Sequence, residues 1–365
     1  MKLPPLIIGN LKTTIPIIQG GMGVGISGYR LAQAVANEGG IGVISTVQIG
    51  YREPDFETNT KEANIRALRK EIRKARKLSP KGIIGVNIMV AISDYEDMVK
   101  TSIEEKVDII ISGAGLPLSL PRLAVGSDVK LAPIVSSGKA ASIIIRSWIK
   151  RYNRIPDAIV VEGPEAGGHL GFHLEQLKEG KEHLDDIVCD VIKTVNSLKC
   201  EKNIPVIAAG GIYTGGDIVR FLRLGASGVQ MGSRFVATEE CDAHINFKRA
   251  YINSRKEDIK IIKSPVGLPG RALRNKFIQE VEKNRIVPCK CYNCLKKCDP
   301  NKTPYCISEA LINSVRGKIE KGLVFVGSNA YRIDKIVKVK ELIGELITEA
   351  EDLYVNDKAV NLLKW

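Results

Sequence analysis

Short apolar runs rich in β-branched residues recur along the first two thirds of the chain, each bounded by Gly, Pro or polar residues. Eight of them stand at 15–19, 41–45, 83–89, 108–112, 130–135, 158–162, 205–209 and 228–231. They are nearly continuous rather than alternating, as in parallel strands covered on both faces. Between them, apolar positions recur at spacings of three and four, which predicts helices that include 29–38, 95–106, 140–150, 184–198 and 216–224. Strand then helix, repeated eight times, predicts an α/β fold, the (β/α)8 TIM barrel, with a doubly wound open sheet as the alternative.

Beyond residue 236 the rhythm stops. We expect residues 1–235 and 323–365 to form the barrel and a closing C-terminal helix, amphipathic over 336–350. Residues 236–322 then form an inserted or appended subdomain of helices and loops, with a cysteine-rich insert at 289–306.

Composition changes this picture little. Hydrophobic residues at 44%, charged residues at 26% and 16 prolines describe a soluble globular chain. The longest uncharged apolar stretch, 83–92, is ten residues and is interrupted by Asn87, too short for a bilayer span. The N-terminus carries Pro4 and Pro5 where a signal peptide needs a continuous apolar run, so a cytoplasmic enzyme with no membrane partner is expected. Of the net charge of +13, residues 61–81 hold +7 and residues 283–302 hold +5. In the first of these, Ile65, Leu68, Ile72, Ala75 and Leu78 mark an amphipathic helix whose basic residues form its wet face. A solvated face is the leading reading and attraction of an acidic partner the second. Nucleic acid is not expected, because no aromatic residue is interleaved with these charges.

In such barrels the chemistry gathers at the C-terminal ends of the strands. Gln19-Gly20-Gly21-Met22-Gly23 follows the first run, and its glycines would let backbone amides approach a ligand. Ala209-Gly210-Gly211-Ile212 ends the seventh run and Gln230-Met231-Gly232-Ser233-Arg234 the eighth, the two positions where this architecture builds a phosphate cradle. His169 lies among glycines on the loop leaving the sixth run, a setting for proton transfer rather than for a packed core histidine. His173, His183 and His244 lack that setting; His173 is close enough in sequence to support His169.

The runs PIIQGGMG, GVNIM, VEGPEAGGHLG, PVIAAGGI and GVQMGSRFV, followed by ECDAH, resemble the nitronate monooxygenase family, formerly called 2-nitropropane dioxygenases, over about residues 12 to 280. The same motifs occur in the related flavin-dependent enoyl-acyl-carrier-protein reductases, and both groups are FMN-binding TIM-barrel flavoproteins. The resemblance implies that Gly21 and Met22 approach the isoalloxazine ring, with Asn87 and Glu162 as polar contacts. It implies that Gly167, Gly211, Gln230, Met231, Gly232 and Ser233 hold the ribityl chain and phosphate, and that His169 is the catalytic histidine. Position 162 is Glu, as in the enoyl reductases, where many nitronate monooxygenases have Gln. The cysteine-rich insert is absent from the shorter members of both groups.

Cys289, Cys291, Cys294, Cys298 and Cys306 fall within 18 residues as C-x-C-x2-C-x3-C-x7-C. In a cytosolic chain disulfides are disfavoured, so metal ligation is the better reading. An iron–sulfur cluster, a tetrahedral zinc held by four of the five, and free reduced thiols all remain open. Cys189, Cys200 and Cys241 are scattered and read as structural.

Three functions compete. The first is FMN-dependent oxidation of alkyl nitronates with dioxygen, a monooxygenase reaction in which His169 donates a hydrogen bond to the nitro oxygens or deprotonates a neutral nitroalkane. The second is NAD(P)H-dependent reduction of an enoyl group on an acyl carrier protein, docked by the basic stretch. The third, a metal-sensing or redox-relay protein using the barrel as scaffold, leaves the phosphate-type turns and His169 unexplained.

Overall fold

The computed structural model describes residues 2–362, with side chains to residue 355. Its centre is a closed barrel of eight parallel strands: β1 (Ile17–Gln19), β2 (Ile41–Ser45), β3 (Ile83–Met89), β4 (Ile109–Gly113), β5 (Lys130–Val135), β6 (Ile159–Glu162), β7 (Val206–Ala209) and β8 (Gly228–Met231). Each strand pairs with its neighbour in sequence, and β8 closes on β1 with Gln230 opposite Ile18. The eight runs read from the sequence are these eight strands.

The continuous apolar pattern follows from burial on two faces. Ile18, Val43, Ile109, Ile111, Val160 and Ile207 fill the barrel interior, joined by Leu6 and Ile8 from the hairpin Ile7–Ile8/Leu11–Lys12. Alternate strand residues such as Ile17, Ile44, Val86 and Val161 pack outward against helix residues that include Leu31, Trp148 and Val188. Local chemistry sets the helix ends. The Ser137 hydroxyl accepts from the Ala140 N–H at the start of helix Gly138–Tyr152, and Thr214 and Asp217 form a capping box on helix Gly215–Arg223.

The basic helix is Thr60–Leu78. Lys61 pairs with Asp97, Arg66 with Glu53 and Asp55, Arg69 with Glu104 and Glu105, Lys70 with Glu53, Arg73 with Glu105 and Arg76 with Asp108. Six of the nine basic residues of 61–81 are thus neutralised within the chain.

After β8 the chain builds its own apolar cluster around Phe247, Tyr251, Phe277, Tyr305 and Leu323. This segment is not only helix and loop. Strands Ile259–Lys263 and Pro269–Leu273 form an antiparallel hairpin, and the two-residue strand Gly168–His169 joins its edge. IKIIK is short and half charged, and its partner begins Pro-Gly, so neither reads as a strand in isolation. The closing helix spans Val339–Leu362, longer than the amphipathic stretch suggests; residues 1 and 363–365 of the expected barrel unit lie outside the described residues. Among the described residues no helix is long and apolar enough to cross a membrane.

Candidate active site

The strand ends of the barrel open into one cavity lined by the glycine-bearing turns after β1, β7 and β8. After β1, the Gly20 N–H donates to the Met231 carbonyl (2.8 Å), tying the first turn to the end of β8. Gly21 has no alternative: a Cβ there would stand 2.2 Å from the Asn87 Cβ. The Met22 N–H donates to the Ser27 hydroxyl (2.8 Å), which holds the turn closed. After β7, Gly210 and Gly211 have φ of +97° and +81°, the left-handed region that side chains resist. The Asn329 amide donates to the Gly211 carbonyl (2.7 Å), and the Gly327 N–H donates to the Ser233 hydroxyl (3.1 Å).

Gly21, Met22, Asn87, Glu162, Gly167, Gly211, Gln230, Met231, Gly232, Ser233 and His169 all line this cavity. The structure therefore gathers every flavin candidate and the catalytic candidate around one space. Gly167 is again confined, since a Cβ would lie 2.6 Å from the Val326 backbone. Two buried polar atoms of the wall, Gln230 Oε1 and Ser328 Oγ, have no hydrogen-bond partner among the described residues. Orphaned acceptors of this kind mark where a polar ligand group belongs.

His169 is held from three directions. Its backbone pairs with Gly270, its Nε2 lies 2.8 Å from the Ser264 hydroxyl, and its ring meets Phe325 edge-on at 5.0 Å. Burial pushes the imidazole down to about 4, so it is neutral at physiological pH. Glu162, at the end of β6, is pushed up to about 7 by the same desolvation. The neighbouring loop is fixed by Arg271, whose Nη1 donates to the carbonyls of Pro164 (2.5 Å) and Ala166 (2.7 Å).

Ser264, Tyr251 and the segment Phe325–Asn329 also shape the site, and sequence reasoning passed over them. They lie after β8, far along the chain from the motifs. The only local signal was Gly327-Ser328-Asn329, a turn sequence after an apolar run. His173 is exposed at the start of helix Leu174–Glu179 and does not line the cavity, and His244 caps helix Ile245–Ile252 by accepting from the Asn246 N–H (3.1 Å).

The structure does not draw the five cysteines into a metal-holding group. Among the described residues no group of three or more His, Cys, Asp or Glu side chains is gathered so as to hold a metal ion. Cys289 and Cys291 are exposed, while Cys294, Cys298 and Cys306 are partly buried. Backbone pairing orders the segment instead: Ile92 bridges Leu295, the Ser93 N–H donates to the Cys294 carbonyl (3.2 Å), and the Lys296 N–H donates to the Ala91 carbonyl (3.1 Å).

Three comparisons place this geometry among known proteins. A Rhodococcus jostii protein named (3aS,4S,5R,7aS)-5-hydroxy-7a-methyl-1-oxo-octahydro-1H-indene-4-carboxyl-CoA dehydrogenase is 28% identical over 267 residues, 73% of this chain and 65% of its own. A probable nitronate monooxygenase of Staphylococcus aureus is 30% identical over 306 residues, covering 74% of this chain and 78% of the relative. FabK from Thermotoga maritima superposes with a TM-score of 0.73 at 29% identity, over 95% of this chain and 96% of that one. The family profile for nitronate monooxygenase matches residues 5–349, which take in the barrel, the glycine turns, His169 and the subdomain behind it. This chain belongs to the nitronate monooxygenase family, a family of oxidoreductases.

Proposed function

We propose that the protein is an FMN-dependent oxidoreductase that oxidises alkyl nitronates with dioxygen. The residues fit the cofactor: two left-handed glycines and the Gln230–Ser233 turn offer a phosphate and ribityl cradle, and Gln230 Oε1 and Ser328 Oγ are buried beside it without partners. Gly21 and Met22 would lie against the ring, Asn87 and Glu162 at its polar edge, and Gly167 and Gly211 along the chain to the phosphate. When bound, FMN supplies the electron acceptor for the substrate and the electron donor for dioxygen.

The observation that carries the substrate reading is His169 in the cavity wall with its Nε2 2.8 Å from the Ser264 hydroxyl, a setting whose burial keeps the imidazole neutral. A base held near 4 is poorly matched to removing a carbon-bound proton at neutral pH. It is well suited to hydrogen bonding with a substrate that has already lost that proton. In the tautomer in which the Ser264 hydroxyl donates to Nε2, Nδ1 carries the ring proton and can donate to the anionic nitro oxygens. A nitronate needs no more from the protein than this orientation and the exclusion of water.

A second reading, enoyl reduction with NAD(P)H, draws on Glu162 and on the likeness to FabK. Docking of an acidic carrier on helix Thr60–Leu78 has little support, because most of its charges are already paired. Aerobic turnover of butyl-1-nitronate by the purified yellow protein, compared with NAD(P)H oxidation by an enoyl thioester, separates the two. Oxygen uptake with the nitronate and no NAD(P)H oxidation with the thioester supports the first; NAD(P)H oxidation with the thioester and no oxygen uptake with the nitronate replaces it.

A further inference from the structure

A second chamber of ≈ 440 Å³ adjoins the cavity and shares Val47, Met89, His169 and Leu311 with it. The segment from Cys291 to Leu295 forms one wall. Its backbone pairing with residues 91–93 and the stacking of Tyr292 on Phe56 (5.5 Å) hold that wall against the barrel. Facing it are residues at the starts of helices Thr60–Leu78 and Tyr95–Glu104.

Three carboxylates line this chamber. Glu57 is paired with Lys290 (3.2 Å), and Asp97 with Lys61 (2.9 Å). Among the described residues Asp94 has no ion-pair partner. Its carboxylate accepts from the Asn64 amide (3.2 Å) and from its own backbone N–H; the Asn64 amide is itself shared with Gln48 (3.0 Å), and Gln48 in turn donates to Ser308 (2.9 Å). Lys61 lies within electrostatic reach of Asp94 but spends its ammonium contact on Asp97. The chamber thus presents one uncompensated carboxylate to whatever extends past His169.

We propose that this chamber receives the tail of the substrate, and that Asp94 selects tails ending in an ammonium or another N–H donor over tails ending in a carboxylate. The inference rests on the reading that His169 meets the reacting group. A carboxylate in a partly dry cavity binds an ammonium through a charge-assisted hydrogen bond and repels a second carboxylate. The cysteine segment then serves as the wall of a specificity pocket.

The holoenzyme tests this with three nitronates of matched length, made from 4-nitrobutan-1-amine, 4-nitrobutanoate and 1-nitropentane. Dissociation constants come from calorimetry with the parent nitroalkanes, which keep the carbon-bound proton and do not reduce the flavin, and kcat/KM from oxygen uptake with the nitronates. We expect the ammonium-ended probe to bind at least about tenfold tighter than the carboxylate-ended one, the size of one net charge-assisted contact. D94N should abolish that preference while leaving the 1-nitropentane nitronate unchanged, and D94E should restore it. Leu295→Trp, which fills the chamber, should weaken all three but not the nitronate of nitroethane. Equal or tighter binding of the carboxylate-ended probe, or a preference that survives D94N, overturns the proposal. If D94N does not fold, the wild-type preference and the Leu295→Trp pattern decide. The expected binding order without turnover would sink nitronate oxidation and keep the chamber; turnover with no tail preference would do the reverse.

Discussion

At the residue scale, two buried titratable side chains in one cavity have been moved in opposite directions in charge yet share one consequence, neutrality. His169 is neutral because burial lowers it to about 4; Glu162 is half neutral near pH 7 because burial raises it. Below about 7 the Glu162 carboxyl is protonated and does not oppose an anionic substrate. Above it, the carboxylate forms beside the nitronate. The rate kcat/KM for a nitronate should therefore fall as pH rises through about 7, and Glu162→Gln should flatten that limb; a limb unchanged in the variant would assign it to another group. Replacing His169 with Ala should leave the flavin bound and lower kcat on the order of 10²-fold, the usual loss when one donor to a developing or resident oxyanion is removed. Stopped-flow flavin reduction by butyl-1-nitronate reads this directly, and an unchanged rate would remove His169 from the chemistry.

At the scale of elements, the turns after β7 and β8 and the cysteine segment make separate predictions. Gly211→Val would place a Cβ 3.0 Å from the Glu165 Cβ at a φ of +81°, a conformation that is strained by roughly 1–2 kcal/mol for any L side chain. Flavin content per protein, measured after denaturation, should drop before kcat of the remaining loaded enzyme does. Full flavin content would count against the cradle. In the cysteine segment, burial pushes Cys294 up to about 11 and raises Cys298 and Cys306 as well, whereas Cys289 and Cys291 are exposed. At pH 7.5 a disulfide reagent should modify Cys289 and Cys291 in a fast phase and the other three slowly, as mapped by peptide mass spectrometry. Uniform protection of all five, with stoichiometric zinc or iron, would instead mean that a metal draws them together.

For the whole molecule, barrel and subdomain are joined at the site itself. The strand Gly168–His169 leaves the barrel after β6 and pairs with Pro269–Leu273 of the subdomain, and Ala272 bridges Phe325 on the way back to the closing helix. That helix packs on Gly215–Arg223, where Glu349 accepts from the Gly215 N–H (2.9 Å). Unfolding of either part removes the walls of the cavity, so calorimetry should record one cooperative transition, raised by added FMN. Two resolved transitions would show that the subdomain folds independently of the barrel.

The barrel was legible because its strands are buried on both faces, which forces continuous apolar runs such as IIGVNIM, and because turns that press backbone against neighbouring side chains or into the left-handed region favour glycine, as at Gly21 and Gly211. His169 was legible for the related reason that a histidine among glycines has nothing to pack on locally. What surrounds it was not. Ser264 and Phe325 reach the imidazole from 95 and 156 positions away, through a hairpin whose strands carry no strand signal of their own. The cysteine spacing left a metal and free thiols both open and carried no sign of the pairing with residues 91–93, or of Asp94 lacking a cation that its two neighbouring carboxylates have found. Local sequence determines burial and turn geometry, because these depend on the pattern of each segment; which distant side chains meet, and which charge is left over, depends on all the packing at once, and only the tertiary structure decides it.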